Sequence, residues 1–211
     1  MDNPTMDPAL QEALCDKDWV HNPAPWGISF FRPDGTGWLD LSMEMRTHLR
    51  ADFAWRLLGA SSATEEEDGP PSSTAAETTA TTTTHQNDER TKTTIASTRQ
   101  FEIELTLLRT GPFSTPQADH LDRALVERAF RPRTMTARLC KGRFPRQHPF
   151  LGIVQVYGLR LELEPAVFPE LQDWTEEYRK MATAGKFHEW KLFYGEALED
   201  FEVEEPLDQE I

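Results

Sequence analysis

Apolar and polar positions alternate three times between residues 26 and 57. Trp26, Ile28 and Phe30 alternate with Gly27, Ser29 and Phe31. Leu39, Leu41, Met43 and Met45 alternate with Asp40, Ser42 and Glu44, and Phe53, Trp55 and Leu57 with Asp52, Ala54 and Arg56. A period of two places successive side chains on opposite faces, so the pattern predicts three half-buried strands in a meander. Between the first two runs lies Pro33-Asp34-Gly35-Thr36-Gly37. Pro33 presets φ, and Asp34-Gly35 and Gly37 tolerate the positive φ of a tight turn, so the stretch reads as a hairpin. A phosphate cradle would instead open a helix, and a calcium loop needs more oxygen ligands than Asp34 and Thr36 provide.

The alternation returns downstream. Phe101, Ile103, Leu105 and Leu107 oppose Glu102, Glu104 and Thr106. Met135, Ala137 and Leu139 mark a fifth strand near 134–144. Tyr157, Leu159, Leu161 and Leu163 oppose Gly158, Arg160, Glu162 and Glu164 in a sixth, over 152–164. Trp55 and Phe101 are expected to face one core, on paired strands. Helical spacing appears in three places. Asp7 caps and Pro8 opens a short helix with Leu10, Ala13 and Leu14 on one face. Leu121, Ala124, Leu125 and Phe130 predict a helix over 117–130, capped by Thr115, opened by Pro116 and stopped before Pro132. Leu171, Trp174, Tyr178 and Met181, with Gly185 as terminator, predict helix in 170–194, where a second piece carries Phe187, Trp190 and Leu192.

Residues 59–98 break the pattern. They are rich in Thr, Ser and Glu, hold one large aliphatic residue (Ile95) and no aromatic. Such a segment cannot bury enough apolar surface to offset ordering its backbone, so it is expected to be disordered. The resulting organisation is an N-terminal segment with a short helix (1–25), one β-rich domain (26–194) interrupted by the 59–98 insertion, and an acidic tail (195–211). The fold class is α+β, mainly antiparallel β: a meander sheet or small barrel of about six strands, covered by two or three helices.

Composition narrows the function. Of 211 residues, six are Trp and twelve Phe, enough for a core without metal or disulfide staples, and the formal charge of −14 disfavours nucleic acid and anionic membrane surfaces. Two distant cysteines, Cys15 and Cys140, make neither a zinc site nor a disulfide framework. The N-terminus lacks the apolar run of a signal peptide, and no apolar stretch is long enough to span a bilayer. A soluble, cytoplasmic protein is expected, with no nucleic-acid or membrane partner.

Candidate chemistry is sparse. No His pair has metal-ligand spacing, no Gly-x-Ser-x-Gly elbow is present, and no catalytic, metal or cofactor residue is assigned. Cys140, beside Lys141, reads as a passive strand thiol. The pairs Glu102/Glu104 and Glu162/Glu164 read as solvated outer faces, because the opposite faces are apolar. Two candidate sites remain. The aromatic interior positions Trp26, Phe53, Trp55, Phe101 and Tyr157 would line a site for a small apolar ligand. Residues 123–146 hold eight cations (Arg123, Arg128, Arg131, Arg133, Arg138, Lys141, Arg143 and Arg146) against one acid, Glu127. Within this block, Arg138, Arg143 and Arg146, with His148, would contact an anion or the acidic tail from a loop at the end of the sheet.

The stretch Trp26-x-Ile28-Ser29-Phe30-x-Arg32-Pro33-Asp34-Gly35-Thr36-Gly37 resembles the opening motif of an uncharacterised family of filamentous-fungal proteins. Matching landmarks are the strands around "FEIELTL", "LCKGRFP" and "YGLRLELE". The resemblance implies a compact β-rich domain of fungal origin and no particular activity. The meander is also similar, faintly, to the lipocalin-like (calycin) barrels. The expected function is a non-catalytic binding module for a small apolar ligand or a protein partner. The alternatives are a structural or regulatory interaction protein, or an isomerase or cyclase of lipocalin-like type.

Overall fold

A computed structural model of the protein describes residues 6–21, 27–43, 46–60, 93–112, 118–147 and 154–198. The elements, in chain order, are α1 (Pro8–Leu14), β1 (Asp18–His21), β2 (Gly27–Phe31), β3 (Thr36–Met43), β4 (Arg46–Ala60), β5 (Thr94–Leu108), α2 (Ala118–Ala124), β6 (Arg133–Gln147), β7 (Val154–Glu164), α3 (Glu176–Gly185) and β8 (Leu192–Leu198). Every strand pairs antiparallel with its neighbour in sequence. β8 returns to β1 through Val20↔Tyr194 and His21↔Phe193, so the eight strands close in a ring.

The six strands read from alternation correspond to β2 to β7. Two more, β1 and β8, were not anticipated, and their pairing is what closes the ring. β1 has only four residues. In β8, Phe193, Tyr194 and Gly195 are buried in succession, which erases the period-two signal. The expected helix therefore ends before 192, and the expected acidic tail begins inside β8. Helix in 170–194 is split into a 3₁₀ turn (Leu171–Asp173), α3 and a second 3₁₀ turn (Phe187–Glu189), and helix over 117–130 into α2 and a 3₁₀ turn (Glu127–Phe130).

The 59–98 segment is corrected at both ends. β4 runs through Ala60, paired with Phe101, and β5 begins at Thr94, paired with Arg143. Backbone pairing with β6 holds 94–98 although Ile95 remains 46% exposed, so apolar burial was the wrong criterion there. Residues 61–92 lie outside the described residues, as do Thr115 and Pro116. The loop expected after residue 144 is also strand as far as Gln147: the β6–β7 register shifts between Lys141 and Phe144, and Pro145 then pairs with Val156.

Residues directly opposite in an antiparallel pair share a face. Phe53↔Leu107, Trp55↔Leu105, Ile103↔Met135, Phe101↔Ala137, Leu139↔Leu161 and Leu161↔Phe193 therefore build one inward surface. None of these side chains is more than 5% exposed. Gly37 is needed in this layer: a Cβ there would lie 2.3 Å from Phe53 Cζ and 2.2 Å from the Phe30 carbonyl oxygen. The turn before it is the expected hairpin. Gly35 takes φ 83°, and the Asp34 carboxylate accepts from Thr36 N–H at 2.9 Å and Thr36 O–H at 2.6 Å.

The helical segments leave the ring at its two ends. α1 precedes β1, its Asp7 carboxylate accepts from Ala9 N–H at 3.1 Å, and it buries Leu10 and Leu14 in the core. At the opposite end, between β5 and β6 and between β7 and β8, Leu121, Leu125, Trp174 and Phe187 join the same cluster. Among the described residues no helix is long and apolar enough to cross a membrane.

Candidate functional site

Of the aromatic positions expected inside, Phe53, Trp55 and Phe101 do share one core. Trp55 packs edge-on against Phe31, and its indole N–H donates to the Arg32 and Thr36 carbonyls at 3.1 Å each, tying β4 to the β2–β3 turn. Trp26 lies outside the described residues. Tyr157 is a correction: half-buried, it belongs to a second cluster with Cys140, Phe144, Tyr194 and Val20, because the bulge after Lys141 places Phe144 opposite it. Burial pushes its phenol pKa upward.

The inward face changes character toward the α1 end. Beyond Phe101 on β5 comes Arg99, paired with Leu139, and beyond Leu139 on β6 comes Lys141, paired with Leu159. Here a pocket of about 320 Å³ opens between α1 and the strands. Leu139 and Leu159 form its apolar floor, Ala9 and Ala13 its helical wall, and Lys17, Arg99 and Lys141 stand at its rim with Glu12 and Glu196. Arg99 also reaches Asp7, the residue that caps α1, in an ion pair that links the helix to β5. Sequence reading missed this pocket. Arg99 and Lys141 continue the inward alternation, but nothing in the sequence shows α1 lying against them.

The basic block does not act as one site. Arg138 lies on β6 opposite Glu162 of β7, 4.0 Å from its carboxylate. Arg143 sits in the bulge, opposite Thr94, and Arg146 lies opposite Gln155 near the end of β6. His148 lies outside the described residues. Instead of joining Arg143, Arg146 places its guanidinium 4.3 Å over the Tyr194 ring. The basic residue missing from the expected set is Arg160 of β7. It lies opposite both Cys140 and Tyr194, 2.8 Å from Glu162 and 5.0 Å over the Phe144 ring. The remaining cations of the block are dispersed: Arg128 pairs with the buried Asp173 at 2.7 Å, and Arg133, its pKa lowered by burial, donates to the Val167 and Phe168 carbonyls.

The outward carboxylates are largely in ion pairs. Glu104 meets Arg56 at 2.8 Å, and Glu164 meets Lys191 at 2.5 Å. A second cleft of about 590 Å³ is lined by His21, Gln100, Arg138, Glu162, Glu164 and Lys191 among others. His21 stacks on Trp190 with ring centroids 4.1 Å apart and has Nδ1 2.8 Å from the Leu192 carbonyl. Its pKa is lowered, first by burial and further by Arg146, against the opposing effect of that carbonyl.

Both cysteines are buried and neither is in a disulfide. Burial, with Asp16 and Asp34 nearby, pushes the Cys15 pKa up to about 12, which makes it a poor nucleophile. Cys140 Sγ accepts from Arg160 at 3.8 Å and from Thr98 at 3.7 Å. Among the described residues no group of three or more His, Cys, Asp or Glu side chains is placed to hold a metal ion. Comparison of the chain with protein-family models, curated proteins and solved structures found no match.

Proposed function

We propose that the protein is a non-catalytic binding module, a lipocalin-like ring that takes a small ligand at its α1 end rather than in its centre. The observation that carries this reading is the pocket of about 320 Å³ floored by the inward-facing Leu139 and Leu159. Its size sits at the lower end of the roughly 300–1,000 Å³ usual for small-molecule sites. Deeper in the ring Phe53, Leu105, Met135, Leu161 and Phe193 are fully buried against one another, so side chains occupy that space. An eight-stranded ring is just wide enough for side chains to fill or for one small ligand. A fitting ligand has a short apolar part for the Leu139–Leu159 floor and a charged group for the rim of Lys17, Arg99 and Lys141.

Native mass spectrometry of the protein purified from its host tests the proposal. A retained small mass is expected in the intact chain. It should be lost in Ala13→Trp, which fills the pocket from α1, while circular dichroism shows that variant folded. Absence of any retained mass, or its survival in Ala13→Trp, would overturn the proposal.

A further inference from the structure

We infer an oxyanion-binding site, of a kind suited to a phosphate group, on the outer face of the ring between Arg146 and Arg160. The site is separate from the α1-end pocket and stands without it. Its base is a row of paired residues crossing four strands: Val20 on β1, Tyr194 on β8, Arg160 on β7 and Cys140 on β6. Outward positions on a sheet are normally wet. Here Tyr194 and Cys140 are fully buried and Phe144 is 2% exposed. Two guanidiniums help cover them, Arg146 over Tyr194 and Arg160 over Phe144.

Among the described residues, the charge and hydrogen bonding of this cover are incomplete. Glu162 is the carboxylate that both Arg160, at 2.8 Å, and Arg138, at 4.0 Å, contact. Arg146 adds a third positive charge beside them. The proximity of Arg160, on top of burial, lowers the Arg146 pKa, so the two guanidiniums repel one another. Two polar atoms, Arg160 Nε and the Tyr194 hydroxyl, are buried without a hydrogen-bond partner. Buried polar groups are nearly always partnered, and an orphan is a mark of an unfilled role. Guanidiniums bind phosphate through two parallel N–H···O bonds, and a doubly charged oxyanion offsets the repulsion of two of them better than a singly charged one.

Calorimetry at low salt on the intact chain, with inorganic phosphate, O-phosphoserine and acetate as probes, tests the inference. Phosphate is expected to bind measurably and acetate at least tenfold more weakly. O-phosphoserine binding more tightly than inorganic phosphate would place the group on a larger molecule, and equal binding would indicate the free ion. Arg146→Gln should weaken phosphate at least tenfold, and Arg146→Lys, which keeps the charge but loses the fork, should also weaken it. Glu162→Gln should strengthen binding by freeing Arg160 and Arg138 from their shared carboxylate, a gain that a purely structural role for these arginines does not produce. Circular dichroism confirms that each variant is folded. The inference is overturned if phosphate binds neither the intact chain nor Glu162→Gln, if acetate matches phosphate, or if Arg146→Gln binds as well as the parent.

Discussion

Replacing Trp55 with alanine tests the inward face of the ring at its best-defined aromatic. The side chain is 4% exposed, lies 5.5 Å centroid to centroid from Phe31, and hydrogen-bonds two carbonyls of the β2–β3 turn. Removing a buried aromatic to alanine costs about 3–5 kcal/mol, lost transfer energy and residual cavity together. The hydrogen bonds add little, because both carbonyls keep a backbone partner: Arg32 O accepts from Gly35 N–H at 3.1 Å and Thr36 O from Arg32 N–H at 2.8 Å. Losing the indole N–H is therefore worth about 1 kcal/mol or less. Trp55→Phe, which keeps most of the bulk, should cost about 1–2 kcal/mol. At about 2–4 °C per kcal/mol for a domain of this size, the alanine variant should melt roughly 6–20 °C lower. Urea unfolding followed by far-UV circular dichroism reads both variants without depending on the fluorophore removed. A loss below about 1 kcal/mol for Trp55→Ala would refute the assignment of this face to a filled interior.

Other outcomes follow from single contacts. Gly37→Ala should destabilise by about 1–3 kcal/mol by overpacking, since the Phe30 backbone carbonyl cannot yield to the new Cβ; denaturant unfolding checks it. The folded-state pKa of His21 lies below its ordinary 6.5, so the folded form prefers the neutral ring. The stability His21 contributes is present above that value and lost as pH falls through the lowered one. The melting temperature of the parent should consequently drop more steeply below pH 6.5 than that of His21→Gln, and parallel curves would contradict the burial argument. Cys15, with its pKa raised from 9.0 to about 12, contributes stability that is full below pH 9 and lost as pH rises toward 12. It should also react slowly with a thiol reagent at pH 8 until the chain is unfolded, which Cys140→Ser isolates.

The alternation of β3 to β7 was legible because each of these strands has one face against the core and one outward, as at Phe53/Ala54/Trp55 and Glu102/Ile103/Glu104, whereas in β2 the expected face is inverted: Phe31 is fully buried and Phe30 is half-buried against Trp38. Tyr194 breaks that rule. It points outward and is nevertheless buried, under Arg146, so β8 carries no alternation and looked like the end of a helix followed by an acidic tail. With β8 unrecognised, the neighbours of β7 were incomplete, and Arg160 read as one more polar position on a solvated face. Its role depends on register, which places Cys140 on one side of it and Tyr194 on the other. The cation excess near Arg138 and Arg146 was visible in composition, but which arginines converge was not. The α1-end pocket was hidden for a related reason: the helix was legible from Asp7, Pro8, Leu10 and Leu14, while its position against Leu139 and Leu159 is a long-range contact that local pattern does not encode.

The closing seam also dictates an order of events. β1 is the shortest strand, and it meets β8 across nearly the whole described chain, at Val20 and Tyr194. Contacts so distant in sequence carry a large loop-closure cost and form late in folding. During synthesis the strands from β1 to β7 can pair in order, leaving the outer edges of β1 and β7 open until β8 joins them. Open edges template pairing between chains. The vulnerable species is therefore the almost finished chain, and a chain cut before Leu192 should aggregate more than one cut after Leu198.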